Sequence, residues 1–157
     1  MQKALQAHLG GRRNEVLEVL EVGALGSGYK PLIQPPWKWT GLDIRGGDEV
    51  GIVVKDPHDW KEVESGFYDL VISGSCLEHT EFVWRVAWEI GRVLKPGGTA
   101  ILIAPSTGPE HKHPIDCWRI LDAGMRALCK WAGLTAVDVT TSGDPTWMDS
   151  VLIARKS

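Results

Sequence analysis

Three glycines, Gly23, Gly26 and Gly28, close an apolar run that begins at Val16 and reaches the acidic Glu21 just before them. A buried strand that stops at such a turn brings backbone N–H groups close to a ligand, because glycine has no Cβ to clash and tolerates positive φ. A tight turn without a ligand uses the same residues. A second feature sharpens the reading. The stretch Trp39–Ile44, WTGLDI, reads as a strand ending in Asp43, roughly 20 residues beyond the glycines, the separation at which a carboxylate reaches a pair of ribose hydroxyls. Glu21, the three glycines and Asp43 therefore imply a nucleoside-type cofactor site. Farther on, His111, His113, Asp116 and Cys117 share a polar stretch and invite a metal reading. Their spacing matches no closed zinc pattern, so no metal is expected.

These residues need strands that end together and helices that hold them. The pattern predicts a short N-terminal helix from Gln2 to Leu9, with Leu5 and Leu9 on one face, and a first strand ending near Val22. Glu18 interrupts that strand and should lie near a sheet end or a polar neighbour. Pro31 and Pro35-Pro36 limit the next helical segment, Gly28–Ile33, to a turn or two. Strands follow at Trp39–Ile44, Gly51–Val54 and the fully apolar Asp69–Ser73, with one or two helical turns over Asp59–Glu64. The stretch Thr80–Lys95 is the strongest helix, with Phe82, Val83, Val86, Ala87, Ile90, Val93 and Leu94 in one stripe and Thr80 as its N-cap. Trp84 and Trp88 lie off that stripe and are expected against the N-terminal helix, a partner chain being the alternative. A fifth strand, Thr99–Ala104, leads into the polar loop Pro105–Trp118, a helix over Asp122–Trp131, and strands at Leu134–Thr140 and Ser150–Ala154 joined by a turn around Gly143-Asp144-Pro145. Strands alternating with helices, then two consecutive strands, specify a mostly parallel α/β sheet with an antiparallel C-terminal hairpin.

At 157 residues the chain, 1–157, is read as a single domain. A formal net charge of -3 argues against a nucleic-acid partner held by phosphate attraction. No continuous apolar segment precedes the first strand, so neither a signal peptide nor a membrane partner is expected. Three cysteines without ligand spacing fit reduced thiols in a cytoplasmic protein. Cys76, beside Leu77, reads as a small packed side chain and not as a nucleophile.

Taken together, EVGALGSG, GLDI, YDLVISGSCLEH and GRVLKPGG resemble the class I S-adenosylmethionine-dependent methyltransferases, more narrowly the type 11 group. HPIDCWRI is similar to the HPxDYWR stretch of a subset of that group. The resemblance runs from Val16 to Ala154 and implies a Rossmann-like seven-stranded sheet with helices on both faces. It implies S-adenosyl-L-methionine as cofactor, with Gly23, Gly26 and Gly28 near its methionine and ribose part and Asp43 on the ribose hydroxyls. Asp56 would sit by the adenine amino group, and Ser73 and Gly74 would face the transferable methyl. Asp56 equally suits a turn before Pro57, and Ser73 a strand end. Two departures stand out: the first glycine turn carries one extra residue, and Cys117 replaces the tyrosine of HPxDYWR.

The implied chemistry is methyl transfer to a small polar acceptor at oxygen or nitrogen, a sugar or related metabolite among the options. A hydroxyl acceptor needs a base. His79 and His113 are the candidates, with Asp116 as partner to either histidine. Glu78 would orient His79 or anchor the following helix. Glu78, His111, Trp118 and Arg119 would shape the acceptor pocket, although Trp118 equally suits a plug under the loop and Arg119 a structural ion pair. Two other readings compete: a cofactor-binding subunit of a larger assembly without turnover, and a nicotinamide oxidoreductase. The glycine order Gly-x-x-Gly-x-Gly counts against the latter. The sequence leaves a homodimer open.

Overall fold

The computed structural model describes residues 1–143 and 146–157. Its seven strands are β1 (Glu18–Val22), β2 (Lys38–Asp43), β3 (Ile52–Val53), β4 (Tyr68–Gly74), β5 (Leu94–Pro105), β6 (Leu134–Gly143) and β7 (Met148–Lys156). Its helices are α1 (Gln2–Leu9), α2 (Val83–Val93) and α3 (Asp122–Trp131), with short 3-10 turns at Gly10–Arg12, Lys30–Leu32 and Leu77–His79. The strands form one sheet in the order β3-β2-β1-β4-β5-β7-β6. Five are parallel, and β7 lies antiparallel to both β5 and β6. The chain winds outward from β1 to β3, then restarts beside β1 with β4. That reversal opens a crevice between the ends of β1 and β4, where ligands of such sheets bind. The turn expected around Gly143-Asp144-Pro145 includes the two residues outside the described set.

Side-chain alternation splits the core into two layers. Leu20, Val22, Val71 and Leu102 face α2 and α3, while Val19, Leu70, Ile72 and Ile101 face Leu5 and Leu9 of α1. Helices therefore cover both faces. Gly91 of α2 lets the end of α3 approach, because a Cβ there would meet the Ala132 carbonyl group. Glu18 sits at a sheet end with Lys38 Nζ 2.9 Å from its Oε1.

Three local expectations change. No helix forms over 59–64. Trp60 is instead a buried plug, its Nε1 donating to the Pro57 carbonyl at 2.9 Å. Arg92 of α2 donates to the carbonyl oxygens of Trp60 and Val63, both at 2.9 Å, so a side chain takes the acceptors a helix would have used. The strong helix starts at Val83 and not at Thr80, whose hydroxyl lies 2.8 Å from His58 Nε2. Trp84 and Trp88 do not join α1, whose leucines pack under the opposite face of the sheet. They stay 38% and 54% exposed, Trp84 edging onto Phe82 and Trp118.

Candidate active site

The turn after β1 has the backbone its glycines suggested. Gly23, Gly26 and Gly28 have φ of 76°, 74° and 72°, left-handed values that favour glycine. Gly23 is also a close-approach position, since a Cβ there would stand 2.6 Å from Cys76 Sγ. A Cβ added at Gly26 would meet nothing within 4 Å, so the backbone there is open to the cleft, whereas Gly28, equally uncrowded, is not on the cleft wall. Glu21 is fully buried and points back into the turn, with Ser27 Oγ donating to Oε1 and Trp39 Nε1 donating to Oε2 at 2.8 Å. Burial pushes its carboxyl above the usual value, against those two hydrogen bonds. Glu21 thus braces the glycine turn from behind.

Asp43, at the carboxyl end of β2, accepts the Leu25 N–H through Oδ2 at 3.1 Å and the Arg45 N–H through Oδ1 at 3.2 Å. An ionised carboxylate offers about four acceptor positions, so each oxygen keeps capacity for a further donor. Asp43 and the glycine turn share the wall of a cleft of about 680 Å³ that runs along the carboxyl edge of the sheet, within the size range of small-molecule sites.

The far end of the cleft is built by the segment after β4 and the loop between β5 and α3. Backbone and side chain tie the two together. His79 Nδ1 lies 2.7 Å from the Ile115 carbonyl oxygen, the Cys117 N–H donates to the Glu78 carbonyl at 2.7 Å, and Trp118 Nε1 donates to the Thr80 carbonyl at 2.7 Å. Arg119 organises the loop internally, donating to Asp116 and to the carbonyls of Gly108 and Pro109. The Arg119 guanidinium holds the Asp116 carboxyl well below its usual range. The rings of His79, His111 and His113 meet edge-on with centroids 4.8–5.9 Å apart, and Trp147 closes on His111 at 4.9 Å. Glu78 is buried beside them, its carboxyl pushed up by burial and drawn down by the two nearby histidines.

The structure gathers Gly23, Gly26, Asp43, Gly74, His79, His111 and His113 around one cleft. Others stand back from it. Ser73 is buried and donates to the Val22 carbonyl at 3.2 Å, tying β4 to β1. Asp56 accepts the His58 N–H at 2.8 Å in a local turn, leaving Pro57 and His58 on the cleft wall. Asp116, Trp118 and Arg119 support the loop from outside the cleft. Tyr29 and Trp147 also line the cleft and have no counterpart in the sequence reading. Tyr29 announces itself only by following Gly28; its ring lies where a Cβ on Gly74 would go. The cleft side of Cys76 carries a thiol pushed by burial up to about 12, so it stays protonated.

Comparison with known proteins identifies a family and similar folds. A family model described as a methyltransferase domain matches residues 20–102, ending before the HPIDCWRI stretch. Among curated proteins none matches the chain. The fold is similar to that of a putative methyltransferase from Bacillus halodurans, at 14% identity and a TM-score of 0.73, covering 98% of this chain and 99% of that one. It is also similar to the 1,6-didemethyltoxoflavin-N1-methyltransferase of Burkholderia thailandensis, solved with 1,6-didemethyltoxoflavin and S-adenosylhomocysteine, at 19% identity and a TM-score of 0.74, covering 99% of this chain and 76% of that one. A third likeness is to the complex of the Haloferax volcanii Trm112 methyltransferase activator and a putative methyltransferase, at 18% identity and a TM-score of 0.69, covering 98% of this chain and 92% of the matched one.

Proposed function

Because the chain belongs to the methyltransferase-domain family, whose cofactor is S-adenosyl-L-methionine, we propose that it transfers a methyl group to a small polar acceptor at oxygen or nitrogen. The observation that carries this reading is Asp43, hydrogen-bonded to the glycine turn yet retaining acceptor capacity beside the cleft. The residues fit the cofactor: open glycine backbone at Gly26, a carboxylate for two ribose hydroxyls, and apolar Ile44 and Val54 beyond it for a flat base. When bound, the cofactor supplies a methyl group already activated by a sulfonium charge.

The chain's own residues then have two tasks. One is to align the acceptor and exclude water, which is worth up to roughly 7–11 kcal/mol where the geometry is well oriented. Tyr29, His111 and Trp147 supply the walls for that, and their rings suit a small acceptor. The other is to take a proton from a hydroxyl acceptor. His113, exposed at the mouth of the cleft, is suited to this, with His79 set beside it by the Ile115 carbonyl.

The test is incubation with cofactor labelled in the methyl group and panels of sugars, nucleotide sugars and small amines. Labelled product in one chemical class supports the reading. Tight cofactor binding with no product from any class, alone or with a Trm112-type protein added, favours a cofactor-binding subunit without turnover.

A further inference from the structure

The side chains of Glu78, His79 and His111 form a cluster that the cofactor site does not use. One ligand atom from each lies within 4.8 Å of the others. Glu78 Oε1 stands 3.5 Å from His79 Nε2 and 3.7 Å from His111 Nε2. Around an ion with bonds of about 2.0–2.2 Å, tetrahedral ligand atoms are about 3.3–3.6 Å apart. Two of the three separations are already close to that range, and the third, within 4.8 Å, closes by about 1.2–1.5 Å at most to grip one ion.

Three independent features of the environment point the same way. Glu78 is fully buried, and neither of its carboxylate oxygens has a hydrogen-bond partner among the described residues. A buried carboxylate in that condition is costly unless something positive joins it. The second feature is the orientation of the rings. His79 turns Nδ1 to the Ile115 carbonyl oxygen at 2.7 Å, and His111 turns Nδ1 toward Asp116 Oδ2 at 3.2 Å. The first contact favours the proton on His79 Nδ1, which leaves its Nε2 lone pair facing Glu78. His111 Nδ1 also lies 3.5 Å from the Arg119 Nη2 donor, and its Nε2 faces Glu78 in either tautomer. A carboxylate or carbonyl behind a histidine is how metal-bound imidazoles are held and made more basic. The third is the clamp on that outer group, since Arg119 reaches Asp116 Oδ1 and Oδ2 at 2.7 and 2.8 Å.

We propose that Glu78, His79 and His111 bind one divalent first-row transition ion, of the zinc type, with its remaining positions open to the acceptor end of the cleft. Two imidazoles and one carboxylate suit such ions better than magnesium or calcium, which take oxygen ligands. The sequence concealed the site because the polar-loop residues it grouped, His111, His113, Asp116 and Cys117, are not the ligand set. The ligands come from two segments, and Asp116 serves the second layer. His79 and His111 line the cleft while Glu78 lies behind them, so an ion held there would present its open positions to an acceptor oxygen and would favour acceptors with adjacent oxygen donors. The ion site stands on side-chain geometry alone. A chain that binds metal and methylates nothing keeps it.

The experiment uses the whole chain, stripped with chelator and titrated separately with zinc and cobalt(II) ions, with stoichiometry measured by competition against a chromophoric chelator. The expected result is one ion per chain and a visible cobalt absorption typical of nitrogen and oxygen ligands. His111→Ala and Glu78→Gln should each weaken the affinity at least tenfold, and Asp116→Asn should weaken it less. If Glu78→Gln does not fold by circular dichroism, His111→Ala, on the loop, carries the test. No stoichiometric uptake, or uptake that His111→Ala leaves unchanged, overturns the proposal. Loss of methylation in the Asp43→Ala variant with ion binding intact would separate this site from the cofactor site.

Discussion

The carboxylate of Asp43 accepts the backbone N–H of Leu25 at 3.1 Å, joining the end of β2 to the glycine turn that follows β1. Eighteen residues apart in sequence, the two meet at the edge of the cleft before any ligand arrives. The turn is thus preorganised by the acid proposed to hold the ribose. Asp43→Ala removes charge-assisted hydrogen bonds to the Leu25 and Arg45 N–H groups, each worth about 1.5–3 kcal/mol. Amide exchange at Leu25 and Arg45, followed by mass spectrometry, should rise about tenfold or more, while exchange in β4 and β5 stays slow.

The three glycines are not equivalent, and substitution should separate them. Gly23→Ala places a Cβ 2.6 Å from Cys76 Sγ as well as forcing a left-handed φ of 76° on alanine. Gly26→Ala meets nothing within 4 Å and carries only the φ strain, about 1–2 kcal/mol. Thermal melts should therefore show Gly23→Ala as the more destabilised of the two by at least about 1 kcal/mol. Gly26→Ala should instead lose cofactor affinity, because its new methyl group enters the cleft.

Glu21 gives the molecule a pH signature. Its carboxyl is held above the ordinary 4.5 chiefly by burial. The folded state then binds the proton more tightly than the unfolded state, so stability falls as pH rises from about 4.5 through the folded value and levels off above it. Glu21→Gln keeps an acceptor for one partner and removes the titration. Melts between pH 4 and 8 should show the difference in Tm moving in the variant's favour as pH rises. A constant difference would mean that Glu21 is already ionised at no cost.

His113 is assigned the proton and no part in holding the cofactor. His113→Ala should lower kcat for a hydroxyl acceptor about 10²–10⁴-fold while leaving S-adenosylhomocysteine affinity within about twofold of the parent. Equal losses in turnover and cofactor binding would move His113 from base to binding residue.

Much of this architecture is readable from the chain, and the parts that are not share a cause. The boundaries of α1 and α3, the succession of strands along the chain and the antiparallel pairing of β6 with β7 follow from local periodicity and from punctuation by glycine and proline, whereas the insertion of β7 between β5 and β6 does not. The helix expected at Asp59–Glu64 fails because Arg92 and Glu89, from α2, supply hydrogen-bond partners that no local pattern reveals. The acceptor end is hidden for the same reason. His79 and His111 meet across 32 residues of sequence, and Trp147 reaches His111 from just before β7. Arg119 and Trp118 read as pocket residues by type, yet the backbone carbonyls of their own loop and of Thr80 engage their polar groups. Glycine turns and strand-end acids are legible because they act through backbone; side-chain clusters built by tertiary folding are not.

The most direct measurement is calorimetric titration of the parent chain and of Asp43→Ala with S-adenosylhomocysteine. The parent should bind one equivalent, and the variant, having lost two hydroxyl partners at a charged acceptor, should bind about a hundredfold or more weakly. Affinity retained in a folded Asp43→Ala variant would contradict an adenosyl sulfonium lying along this edge of the sheet.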